Sequence, residues 1–282
     1  MLLLATEAGE LVGYDPQADT ARVLFKAGLK DAFMGIALEG NYLYLASLER
    51  IYKLDSKTWQ PIAETASYRP SPDFHQMQFY DGLLYTTVTK RNEIWVYDVN
   101  LNREASYVIP PPYPDKPVAY KKNYNHINNI VRHAGKYYVN HNWLSATPYA
   151  ASGVGVFDEQ FNLLDKFEFG WETHDFQFVG SDKVALCASS SKRKKIRHPY
   201  RAGLMINGEL VYEHDPDESF CKGLAYDEEY FYLCGGEKKT RLLRRFANGI
   251  IYVVRRSDFT LAQKLKPAGV KAIKGCLLAP GL

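Results

Sequence analysis

Cysteine is scarce in this 282-residue chain: Cys187, Cys221, Cys234 and Cys276 are the only four, and no two form a C-x-x-C pair. The expectation is four reduced thiols buried on strands. Long apolar runs are missing too. No stretch approaches the roughly 18 residues of a membrane-spanning helix. The start, MLLLATEAGELVGYD, lacks a basic n-region and meets Glu7 early, so it reads as a strand and not a signal peptide. A cytoplasmic protein is expected. Nucleotide and hydrolase signatures are absent as well. Without a P-loop, a G-x-G-x-x-G after a strand, a G-x-S-x-G elbow or an H-E-x-x-H pair, the sequence argues against P-loop NTP hydrolysis, dinucleotide oxidoreduction and serine hydrolysis. Thirty-five basic residues nearly balance 32 acidic ones, and 46% of residues are hydrophobic, which excludes wholesale disorder.

What the chain has is aromatic residues in short alternating runs. Tyrosine alone accounts for 21 residues, and the runs are bounded by turn residues, which is a strand signal. The runs recur. FMGIALEGNYLYLASLERIYKLD (33–55) and FHQMQFYDGLLYTTVTKRNEIWVYD (74–98) share one plan: strand, tight turn with Gly, strand, connection, strand ending in Asp. Weaker copies begin near residues 125, 173 and 221, and KGCLLA (274–279) joined to LLLATEAGELVGYD (2–15) makes a sixth. Unit starts lie 41 to 52 residues apart, within the range of propeller repeats.

The pattern resembles the six-bladed β-propeller superfamily along essentially the whole chain. It predicts one all-β domain over residues 1–282 with four-stranded antiparallel blades near 33–72, 73–122, 123–171, 172–218 and 219–270. The last blade is expected to combine 271–282 with 1–32, so that the two ends close the ring. Tyr42, Tyr44, Tyr85, Tyr138 and Tyr232 fall at blade-packing positions and are expected in the core.

Aligning the first strands puts Met34, His75, His126, His174, Lys222 and Lys274 at one position, facing the central channel. Two residues earlier come Asp73, Tyr124 and Glu172; Gln78, Asn129 and Gln177 repeat deeper in the strands. Three imidazoles from consecutive blades predict a divalent transition metal site (Fe, Mn or Zn) on His75, His126 and His174, with positions left for substrate. Lys222 and Lys274 would bind an anionic group or act as acid and base. Asp73 and Glu172 would orient ligands or move protons, and His141 would be a fourth ligand or a proton carrier.

Long loops are expected at the same end as the histidines. One carries Arg193, Arg197 and Arg201, and another carries Arg241 and Arg244; with Arg91 they form a basic face suited to phosphate or carboxylate. Trp143 and Tyr149 are candidates for stacking on a sugar or base. Together these features predict a metal-dependent enzyme acting on an anionic small molecule or oligosaccharide. The site type is similar to that of propeller lyases whose channel histidines hold a divalent metal, which makes a lyase the expected class ahead of hydrolase or oxygenase. The alternative is a non-catalytic propeller whose basic face binds a phosphorylated or polyanionic partner. Nucleic acid is the less favoured partner, and no membrane partner is expected.

Overall fold

The computed structural model describes residues 1–28, 31–113, 123–145, 150–188, 199–240 and 243–279. They form six four-stranded antiparallel sheets arranged as the blades of a ring. Numbering strands in chain order, β1 (Leu2–Thr6), β2 (Glu10–Asp15) and β3 (Thr20–Lys26) share a blade with the final strand, β24 (Ile273–Leu278). The other innermost strands are β4 (Phe33–Glu39), β8 (Phe74–Tyr80), β12 (Ile127–His133), β16 (Thr173–Val179) and β20 (Ser219–Tyr226). Each is followed in sequence by the three strands that complete its sheet. Leu2 pairs with Leu278 and Leu4 with Cys276, so the chain ends are held by one ladder. No helix among the described residues is long and apolar enough to cross a membrane.

Apolar side chains on both faces of each blade interleave with those of its neighbours. Tyr44, Phe74, Met77 and Trp95 form one such layer, and Leu4, Tyr14, Ile251 and Ile273 another across the closing blade. All four cysteines are buried and free, as expected. Tyr44 and Tyr232 are core residues, but Tyr42 is 37% exposed, with its ring 3.9 Å from the Lys53 ammonium. It shares a face with buried Tyr44 but is the first residue of its strand, beside a turn, where the blade edge leaves it open to solvent.

Every innermost strand carries an extra residue near the same height. Phe33 pairs with Ser47 but Gly35 with Ala46, leaving Met34 bulged. Asn128, Lys222 and Lys274 are bulged in the same way. In β8 the irregularity spans His75 and Gln76, and in β16 it spans Asp175 and Phe176. A bulge bends its strand and re-aims a side chain. Here it breaks the pleat at the level where blades converge on the channel.

Crowding at this level also dictates glycine. A Cβ on Gly235 would lie 1.7 Å from the Phe220 carbonyl oxygen and 2.7 Å from Cys221 Cα. Both are backbone atoms that cannot turn aside. Gly235→Ala is therefore expected to destabilise the fold by about 2 kcal/mol or more, the scale of overpacking, with urea unfolding as the readout; an unchanged midpoint would contradict this packing.

His141 and His214 are buried within and between blades, at 0% and 5% exposure. Burial pushes their imidazoles down to about 3 and about 4, respectively, from the ordinary 6.5. The unfolded chain takes up these protons near 6.5, whereas the folded chain resists them. Below pH 6.5 the folded state thus loses roughly 1.4 kcal/mol per pH unit for each such histidine. Urea unfolding should show stability falling from about pH 7 to about pH 5. His214→Gln should flatten that slope by about one proton's worth; an unchanged slope would contradict burial as its cause.

Candidate functional site at the channel mouth

The innermost strands start at the end of the ring that carries the longer loops, so their first residues form a channel mouth. The bulges fix which residues share each level. Directly after the ladder pairs made by Phe33, Phe74, Ile127, Thr173, Cys221 and Ile273 stand Met34, His75, Asn128, His174, Lys222 and Lys274, five of the six expected. The exception is the third blade, where Asn128 takes the place assigned to His126. Asn128 is consumed structurally: its amide donates to the Thr173 carbonyl (2.8 Å) and its Oδ1 accepts from Asn140 (2.7 Å).

His126 belongs two residues earlier, level with Asp73 and Glu172. All three adopt left-handed backbone, with φ of 62°, 51° and 43° for Asp73, His126 and Glu172. Each carbonyl accepts a bond from the residue after the second strand: Thr89 N (3.2 Å), Asn142 N (3.3 Å) and Ala188 N (3.4 Å). This conformation is strained for non-glycine residues and tends to gather at functional sites. Tyr124, aligned with Asp73 in the sequence, instead donates its hydroxyl to the Ile109 carbonyl (2.6 Å).

Two of the three imidazoles meet. The His75 and His126 rings are 5.6 Å apart and edge to face, and His126 lies 5.5 Å from the Trp143 ring. The His174 imidazole is held well below its usual range by burial and by Lys222, with His75, His126 and Lys274 adding to the effect. The tautomer of His75 follows from its partners. Thr89 Oγ1 donates to the Ile127 carbonyl (2.6 Å), so it accepts from His75 Nδ1 (2.9 Å). The Asp73 carbonyl, 3.2 Å from the same nitrogen, can only accept. Nδ1 therefore bears the proton, and the Nε2 lone pair is left for the mouth. Burial lowers this imidazole also, against the pull of Asp73.

Opposite stand the lysines. Lys274, 3% exposed, places Nζ 3.1 Å from Glu7 Oε2 and 5.0 Å from the Phe220 ring. The Arg244 guanidinium lies over the same ring at 4.7 Å. Burial holds the Lys222 amine well below the usual ammonium range; Lys274 and Arg244 push the same way, while Glu172 and Glu7 pull back. The cluster thus combines imidazoles and an amine biased toward neutral forms with fixed cations. Among the described residues, no group of three or more His, Cys, Asp or Glu side chains is placed to hold a metal ion. In this arrangement the His126 ring sits against Trp143 and its Nδ1 lies 3.2 Å from Asn123 Oδ1.

The remaining expectations divide. His141 pairs with Ile127 at the place held elsewhere by Thr6, Ser47, Val88 and Cys187, all fully buried. It packs beside Phe157, and burial alone moves its imidazole, so it stands apart from the charged cluster. Arg91 lies over Trp95 at 5.2 Å, and Arg201 is paired with Glu213 at 2.8 Å. Arg193, Arg197, Arg241 and Tyr149 lie outside the described residues. Two participants were missed, Glu7 and Thr89. Both directly follow a second strand, so carrying the repeat alignment one strand further would have found them.

Just below the mouth the channel narrows to a waist. Gln76, Asn129 and Asp175 occupy it in three consecutive blades, and Gly35, Gly223 and Gly275 in the other three. The Gln76 amide donates to Asp175 Oδ1, and Leu224 N donates to Oδ2 (2.6 Å), spanning the channel. Burial raises the Asp175 carboxyl to about 8 in spite of both bonds.

No protein-family description and no curated protein matches this sequence. Solved structures do. A chain of a nidogen/laminin complex superimposes with a TM-score of 0.65 at 10% identity, covering 98% of this chain and 97% of that one. A protein of unknown function from Bacteroides caccae superimposes with a TM-score of 0.69 at 9% identity, again covering 98% and 97%. At such identities the likeness is one of fold, and this chain is a six-bladed β-propeller.

Proposed function

We propose that the channel mouth binds a small carboxylate- or phosphate-bearing molecule and performs acid–base chemistry on it. The observation that carries this reading is the company of Lys222: a crowded amine biased toward its neutral form by burial and by Lys274 and Arg244, near imidazoles biased the same way. An entering anion offsets the cations, so Lys222 and His174 gain protons as it binds. Lys274 and Arg244 supply the fixed charge for the anionic group.

A β-elimination fits these groups. The His75 imidazole, its Nε2 lone pair left for the mouth, would take the proton from the carbon next to a carboxylate, the C–H electron pair would form the double bond, and the leaving oxygen would depart with a proton from the Lys222 ammonium formed on binding. This keeps a lyase as the favoured class. A second reading, a divalent metal such as Fe, Mn or Zn on the histidines, is supported by the His75 tautomer. An imidazole whose Nδ1–H is anchored presents Nε2 as a ligand atom. It would require His126 to turn off its Trp143 contact. The polyanion-binding alternative depends on Arg193, Arg197 and Arg241, which lie outside the described residues.

Calorimetric titration with citrate and with inorganic phosphate tests the anion site. Affinity should rise as pH falls from about 8 to about 6, with uptake of about one proton measured across buffers of different ionisation enthalpy. Lys222→Met should weaken binding about tenfold or more and reduce the proton uptake. Absence of binding, or pH-independent binding indifferent to Lys222→Met, would overturn the proposal. Metal analysis of protein purified without chelator separates the second reading: stoichiometric metal lost in His75→Ala supports it, and a metal-free parent after incubation with Fe, Mn and Zn removes it.

A further inference from the structure

We propose that the opposite mouth of the channel is a second binding site, taking a small neutral hydroxyl-rich molecule of sugar or polyol type on Asn129 and Gln177. The innermost strands run from the histidine end toward the short turns, and beyond the waist they enclose a cavity of about 310 Å³. That is the lower end of the range for small-molecule pockets. The bridge from Gln76 through Asp175 to Leu224 N crosses the channel between this cavity and the imidazoles.

The chamber's chemistry is unlike that of the upper mouth. Among the described residues no Lys, Arg or His side chain lines it to compensate an anion. The carboxylates are Glu39 and Asp175, and both Asp175 oxygens already accept bonds. Amides dominate the polar lining, and two of them have atoms to spare. Asn129 is 1% exposed, and its Oδ1 accepts no hydrogen bond among the described residues; buried Gln177 Nε2 likewise donates none. A buried polar atom left without a partner costs about 1–3 kcal/mol. An acceptor and a donor on two residues that line one cavity match a hydroxyl group, which gives one hydrogen bond and takes another. Apolar walls from Met77, Phe79 and Phe176 suit the C–H faces of a ring or chain of carbinols.

Saturation-transfer NMR on the intact protein with glucose, myo-inositol and sorbitol at millimolar concentration tests the site. The parent should transfer magnetisation to at least one of the three. Asn129→Leu and Gln177→Leu, each confirmed as folded by circular dichroism, should reduce that affinity about tenfold or more, while Lys222→Met should leave it unchanged. Gln177 is only partly buried, so its variant remains informative if Asn129→Leu fails to fold. Absence of transfer to all three probes from folded parent, or transfer undiminished in a folded variant, would overturn the assignment.

Discussion

One extra residue in each innermost strand organises this molecule. Six strands converge on a common axis, and the bulge at a common height breaks their pleat there. Where the blade supplies Lys222 or Lys274, the bulge delivers an amine to the mouth. Where it supplies Asn128, the side chain is spent on tying two blades together. The position is therefore a socket whose chemistry depends on the side chain and on what the next blade offers it.

Around that socket the protein sustains groups in states that water would not favour. The Lys222 amine and the His75 and His174 imidazoles are biased toward neutrality by shared burial and mutual repulsion. The Asp175 carboxyl, one step deeper, is biased toward its protonated form. Bases and an acid are thus displaced in opposite directions within a few residues of chain. Separating titratable groups in this way assigns acid and base roles in many active sites. The left-handed backbone at Asp73, His126, Glu172 and Asp175 follows the same path along three consecutive blades.

The ring and its blade count were legible because strand periodicity and Gly-containing turns repeat along the chain, and the split last blade was legible from the match of 274–279 to 222–226. The site was legible only where its residues sit in a repeat column. His75, His174, Lys222 and Lys274 are such cases. His126 was misplaced by two residues because another histidine in a polar stretch completed the column, whereas the bulge belongs to Asn128. Sequence spacing does not reveal which residue turns left-handed, and that turn sets the level. His141 was misread for a related reason: its column holds small or apolar residues in other blades, which marks it as a packing position. Glu7 and Thr89 come from the neighbouring strand, so their contacts with Lys274 and His75 depend on pairing that the first-strand alignment leaves out.

The central claim is that the mouth holds neutral bases in fixed orientations, ready to take up protons. Long-range ¹H–¹⁵N NMR of histidine-labelled protein tests it most directly. At neutral pH the account predicts His75 as the neutral Nδ1–H tautomer and His174 neutral, with citrate shifting the mouth imidazoles toward the protonated form. A charged His174 in the free protein, or His75 bearing its proton on Nε2, would contradict it.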